Sequence, residues 1–217
     1  MIINNKMYKR IDKKISLANL KIKPMAYIYI RLIASVGVFL MFLVSNRLGY
    51  IFGPIAGIVF YLLFEYLTLD RSIIDRMEIL EKDALEFFPI FVVIYKNGKS
   101  VKNAIEKCLE IVNNDLSKEF QLVLDNVNLG KSLDESLLNM NKRIPSIMVN
   151  NIITDLTESN RLGNNISDSI NLQLGLINEK RKKNYLTDLR VIPFRITIVF
   201  IIFVLLLLGL LVLFSLM

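Results

Sequence analysis

Gly-Lys-Ser occurs twice, in "NGKSVKNAI" (97–105) and "LGKSLDESL" (129–137), and it is the ending of a phosphate-wrapping loop. Such a loop needs a second glycine five residues before its last one, because consecutive backbone N–H groups must close round the anion before a helix begins. Val93 and Asp125 stand at those positions instead, and no strand-like run precedes either site. Nucleotide binding fails on both counts. Other chemistry is as sparsely provided. The chain has no histidine, which removes the commonest general base and most zinc ligand sets. The single cysteine, Cys108, cannot build a thiolate cluster or an intrachain disulfide, and its place on an apolar stripe reads as a small core residue. Asp83 and Glu86 stand one turn apart, a spacing that suits a metal or an acid–base pair and is equally common on solvated helix faces. No catalytic residue, cofactor or metal site is expected, and the chain reads as a non-enzyme.

The repeated Gly-Lys-Ser has a conformational explanation once a third site, "LGNNISDSI", is set beside the first two. Gly98, Gly130 and Gly163 are each followed two residues on by Ser100, Ser132 or Asn165. Glycine ends a helix readily because it takes the left-handed conformation, and Ser or Asn then caps the next helix by accepting a free backbone N–H. The three units read as helix-to-helix corners. Between them the apolar residues recur at helical spacing, as in Val101, Ala104, Ile105, Cys108 and Val112, then Leu116, Phe120, Val123 and Val127. Asp115 or Ser117, and Ser146 after Pro145, are the expected starts of the intervening helices. Phe87 to Tyr95 is apolar nearly all round and too short to span a membrane, which suits the buried central helix of a bundle.

Hydrophobic residues make up 53% of the 217, with a mean hydropathy of +0.47, and the excess is concentrated. Residues 196–217 are uncharged throughout, long enough to cross a hydrocarbon core of ~30 Å as a helix. Residues 26–45 and 48–69 read as a second and third span forming a tight hairpin, interrupted by Arg31 and Glu65. A cleavable signal is disfavoured because the apolar run follows some 25 largely polar and basic residues, with no small-residue cleavage site behind it. An antiparallel hairpin sets Arg31 and Glu65 at similar depth, where they either pair or snorkel separately to the head groups. Gly53 and Gly57 would let another helix approach closely, while Pro54 between them suits a bend equally well. The first residues place Ile3, Met7, Ile11 and Ile15 at steps of four with lysines opposite, as either an interfacial helix or a charged tail.

The net charge of +7 is unevenly placed. Seven cations against Asp12 give residues 1–23 a charge of +6, whereas residues 70–179 hold 12 cations and 17 anions, or −5. Residues 180–217 return to +5, much of it in Lys180, Arg181, Lys182 and Lys183. Basicity thus flanks the membrane, where anionic lipid attracts it by roughly 1 kcal/mol per side chain, and a nucleic-acid partner is not expected. The same distribution puts the N-terminus and the helical domain in the cytoplasm and the C-terminus at the outer face.

At "KDALEFFPIFVVIYKNGKSVKNAIEKC", "LDNVNLGKSLDESLLNMNKRIPS" and "ESNRLGNNISDSINLQLGLINEKRKKN" the chain resembles the type II secretion system F domain family, over about residues 78–217. These are polytopic platform proteins of type II secretion, type IV pilus and Tad pilus machines. A single copy of the domain behind a membrane hairpin looks like the half-size members TadB and TadC. The resemblance implies a scaffold in the cytoplasmic membrane that pairs with itself or a sister platform protein, sits on a hexameric secretion ATPase, and passes motion to pilin subunits. It also places Glu158 near an acidic position of the family pattern, as a partner contact or a surface and helix-pairing residue. Lys180 to Lys183 become candidates for partner or anionic-lipid contact.

The expectation is an all-α polytopic membrane protein with three transmembrane helices and a cytoplasmic antiparallel bundle of about six helices. Its parts are a basic segment 1–25, a transmembrane hairpin 26–69, the bundle 70–195 and a C-terminal transmembrane helix 196–217. The alternative from another class is a membrane-anchored helical recruitment or regulatory protein outside any pilus machine.

Overall fold

A computed structural model describes residues 5–45, 49–98, 100–162, 166–185 and 187. Among these the chain is helical without strands: α1 (Asn5–Leu17), α2 (Pro24–Ser45), α3 (Gly49–Glu65), a π-helical turn (Tyr66–Asp70), α4 (Arg71–Lys96), α5 (Val101–Ile111), α6 (Asp115–Asn128), α7 (Leu133–Asn141) and α8 (Ile147–Leu162). Two compact units are distinguished, Met1–Gln173 and Leu174–Met217. Residues 167–173 of the first and 174–185 of the second are helical. The expected third span, 196–217, and the third corner, Gly163 and Asn165, lie outside the described residues.

Among the described residues, two helices are long and apolar enough to cross a membrane: α2, through Pro24–Met41, and the continuous helix that includes Gly53–Lys96. Only 17% of the apolar window in each is buried within the protein. Ile33, Met41, Ile58 and Leu62 are at least 63% exposed, on a scale that water-facing surfaces do not tolerate. Lipid is the solvent that fits. α2 and α3 run antiparallel, as the pairings of Arg31 with Glu65 and Ser35 with Gly57 require. The Ser35 hydroxyl donates to the Gly57 carbonyl at 2.8 Å, and a Cβ on Gly53 would lie 3.0 Å from the Phe39 ring. The Gly53–Gly57 face therefore receives α2 of the same hairpin.

α1 is a helix, and its apolar stripe is covered by protein at Ile11 and Ile15 and partly at Met7, while Ile3 lies outside the described residues. Ile11 and Ile15 are buried with Tyr27, Ile28 and Leu69 at the base of the hairpin. The interfacial-helix expectation needed that stripe for lipid, and packing has taken it.

In the bundle, Phe87, Phe88 and Phe91 of α4 are fully buried. Phe87 stacks on Phe120 of α6 at 4.7 Å, and Phe88 meets the same ring edge-on at 6.0 Å. Rings in these geometries attract one another beyond the area they bury. α7 and α8 pair antiparallel through Asn141 with Thr154 and Asp134 with Asn160. α8 runs parallel to α4, which it meets at Ser146 with Glu81 and at Ser159 with Tyr95.

The corners follow the chemistry of their residues. Gly98 and Gly130 have φ of +77° and +95°, and Ser100 and Ser132 accept the N–H of Asn103 and Glu135. After α6 the N–H of Lys131 reaches Asn126 O and that of Gly130 reaches Val127 O, the paired bonds of a Schellman ending. α1 ends in the same way on Asn19, with φ of 54°. The cap of α6 is Asn114, whose Oδ1 accepts from Ser117 N, so Asp115 opens the helix without capping it. Ser146 caps α8 through Val149 N at 3.4 Å.

Candidate functional site

The densest group of charges lies where the hairpin passes into the bundle. Glu65 closes α3 and takes Arg31 Nη1 on Oε2 at 2.7 Å and Lys14 Nζ on Oε1 at 2.6 Å. Lys14 goes on to Asp70 Oδ1 at 2.7 Å, and Arg10 approaches Glu65 at 3.6 Å. Arg31 is 5% exposed; its Nε donates to Tyr61 O at 2.8 Å and its guanidinium lies 3.8 Å over the Tyr61 ring. Two of its nitrogens and one face of the guanidinium thus have partners, as a charge held in a low dielectric requires. Burial pulls the Lys14 ammonium down, but its hydrogen bonds to Asp70 and Glu65 outweigh this and hold its pKa above the usual lysine value.

A second network ties α1 to the bundle. Arg76 of α4 donates through Nη1 to Leu17 O at 2.6 Å and Arg143 O at 2.8 Å, and pairs through Nη2 with Glu119 at 2.6 Å. Arg143 meets the other Glu119 oxygen at 3.0 Å. One arginine therefore neutralises the carbonyl end of α1 and joins it to α4, α6 and the turn before α8. Sequence reasoning missed Lys14, Asp70, Arg76, Glu119 and Arg143. Their partners lie far along the chain, and only the cationic N-terminus carried any signal.

The residues considered for chemistry have structural work. Asp83 Oδ2 accepts the N–H groups of Asp115 and Leu116 at 2.9 and 3.2 Å, so it caps α6 from a neighbouring helix. Glu86 receives Asn114 Nδ2 at 3.2 Å. Cys108 is fully buried, and burial pushes its thiol up to about 12, where the nucleophilic thiolate is scarce at neutral pH. Among the described residues no three His, Cys, Asp or Glu side chains are placed to hold a metal. The two clefts beside α1, of 570 and 560 Å³, mix charges of both signs, as Lys9, Asp12 and Lys13 do in the first.

Of the residues singled out beforehand, Arg31 and Glu65 are brought together, and Gly98, Ser100, Gly130 and Ser132 form two corners. Glu158 is exposed on α8. In the second unit Arg181, Lys182 and Lys183 are exposed and Lys180 is half-buried. What the arrangement offers is a set of fixed ion pairs joining membrane helices to a helical bundle.

A family model described as type II secretion system (T2SS), protein F matches residues 87–214, more than half of the chain. No curated protein and no solved structure matches.

Proposed function

Since the chain belongs to the type II secretion system protein F family, we propose that it is a cytoplasmic-membrane platform protein of a Tad pilus, type IV pilus or type II secretion-like machine. The observation that carries this reading is the family match, which runs from Phe87 in the centre of the bundle through the C-terminal apolar segment. The continuous helix from α3 into α4 supports it: a push on the bundle reaches the hairpin through hydrogen-bonded backbone, without a flexible linker between. In this reading the N-terminus and bundle face the cytoplasm and a hexameric secretion ATPase works on the acidic bundle. The membrane helices guide pilin subunits, beside a sister platform protein or a second copy. The basic run Lys180, Arg181, Lys182 and Lys183 contacts anionic lipid or a partner, as does Glu158 on the partner side.

The test is gentle crosslinking of the tagged chain in its own cells, solubilisation in mild detergent, and mass spectrometry of what is recovered. A secretion ATPase together with a second protein of the same family is the expected result. Recovery of unrelated signalling proteins alone, with the ATPase shown to be expressed, would replace the platform with a membrane-anchored recruitment module.

A further inference from the structure

The π turn between α3 and α4 is bridged by a charged side chain from another helix. Its defining bond runs from the Arg71 N–H to the Tyr66 carbonyl, five residues back. Such turns insert one extra residue into an α-helix, are rare, and gather at functional positions. Glu65 and Asp70 flank this insertion, also five residues apart. In a regular α-helix, residues five apart point about 140° away from each other, since each advances ~100°. Here both carboxylates reach a single ammonium, Lys14 Nζ, at 2.6 and 2.7 Å. That convergence exists because the π turn exists.

The surroundings are built to the same register. Leu69, inside the turn, is fully buried between Ile11 and Ile15 of α1 and Tyr27 and Ile28 of α2. Thr68 Oγ1 donates to Phe64 O and Ser72 Oγ to Thr68 O, both at 2.6 Å, covering carbonyls that the widened ladder uses poorly. The Tyr27 hydroxyl meets Thr68 Oγ1 at 2.7 Å. Two of these supports come from outside the long helix, and the charged one comes from α1.

The geometry points to α1 as a clasp: Lys14, bridging Glu65 and Asp70, holds the inserted residue in place, and release of α1 lets the long helix close to continuous α-helix. Closure carries everything after the turn through about 100° and ~1.5 Å relative to the hairpin. The bundle and the membrane helices thus have two registers, and the seat of α1 selects between them. This follows from the chain's own contacts and stands whether or not the platform reading does.

The experiment uses the full-length chain in lipid nanodiscs, with Cys108→Ala and nitroxides at Leu62 and Glu78, exposed positions on either side of the turn. Electron–electron distance measurement reads the register. The parent and Lys14→Arg give one narrow distance; Lys14→Met moves or splits it by on the order of 5 Å, the swing of a label carried ~100° round a helix. Asp70→Asn, which leaves the Lys14–Glu65–Arg31 pairs intact, produces a shift of the same sign and covers the case in which Lys14→Met does not fold. Deletion of Leu67 removes the inserted residue, so this chain keeps the parent distance and no longer responds to Lys14→Met. An unchanged distance in both Lys14→Met and Asp70→Asn overturns the clasp. So does an equal Lys14→Met shift in the Leu67-deleted chain, because the movement then does not come from the π turn.

Discussion

Arg31 and Glu65, 34 residues apart in sequence, meet across the membrane hairpin at 2.7 Å. The two are unequally supported. Without Arg31, Glu65 keeps Lys14 at 2.6 Å; without Glu65, Arg31 keeps one backbone carbonyl and an aromatic face, deep in the hairpin. A buried charge stripped of its partner costs about 3–5 kcal/mol. Glu65→Gln is therefore expected to lower the stability of the detergent-solubilised protein more than Arg31→Met does. Thermal unfolding followed by circular dichroism gives the comparison, and equal losses would mean that Lys14 does not support Glu65.

Asp83 offers a cleaner separation of structure from chemistry. Because its carboxylate takes two N–H groups at the start of α6, Asp83→Ala should cost about 1–2 kcal/mol, the usual value of a lost cap. Asp83→Asn keeps an acceptor oxygen and should recover most of that. Glu86→Ala, which loses a single contact to the exposed end of Asn114, should stay within about 0.5 kcal/mol. Chemical denaturation of the three variants decides it; a larger loss for Glu86 than for Asp83 would contradict the capping assignment.

What the sequence disclosed and what it hid divide along physical lines. The corners at Gly98 and Gly130 were legible because a left-handed residue followed by a hydroxyl cap is a local requirement, written within three residues. The corner at Asn19 uses the same backbone bonds but carries no glycine, and it passed unseen. Asp115 or Ser117 was the expected start of α6, and the helix does begin at Asp115; its cap, Asn114, was not singled out, because capping side chains crowd this stretch and only backbone geometry separates them. Arg31 and Glu65 were legible as charges standing in apolar runs. Lys14 with Asp70 was not, since a five-residue spacing on α3–α4 matches no helical face until a π turn is present. The Arg76–Glu119–Arg143 network joins partners 43 and 24 residues apart, which no periodicity reports.

Two glycines with the same open surroundings should respond in opposite directions. Neither Gly130 nor Gly175 has an atom within 4 Å of a built Cβ, so sterics do not distinguish them. Gly130 has φ of +95°, and there a side chain pays the left-handed penalty of about 1–2 kcal/mol. Gly175 is helical, and alanine there should stabilise by roughly 0.5–1 kcal/mol through the lost freedom of the unfolded chain. Gly130→Ala therefore melts lower than the parent and Gly175→Ala higher, with Gly130→Val lower still. A Gly130→Val protein with unchanged melting would show that the corner does not need its left-handed residue.

Cys108 carries a prediction in pH. Burial raises its thiol from the usual 9.0 to about 12 in the folded chain. The folded form therefore holds its proton where the unfolded chain has lost it, and the stability that this contributes is complete below about pH 9 and disappears between there and about 12. At pH 8 the thiolate fraction differs between the two forms by roughly a thousandfold, so iodoacetamide should label the native protein slowly and the detergent-denatured protein fast. Cys108→Ala removes the ionisable group and should flatten that part of the stability profile above pH 9. Rapid labelling of the native chain at pH 8 would instead place Cys108 in reach of solvent, and α5 would then need a different face turned toward the bundle.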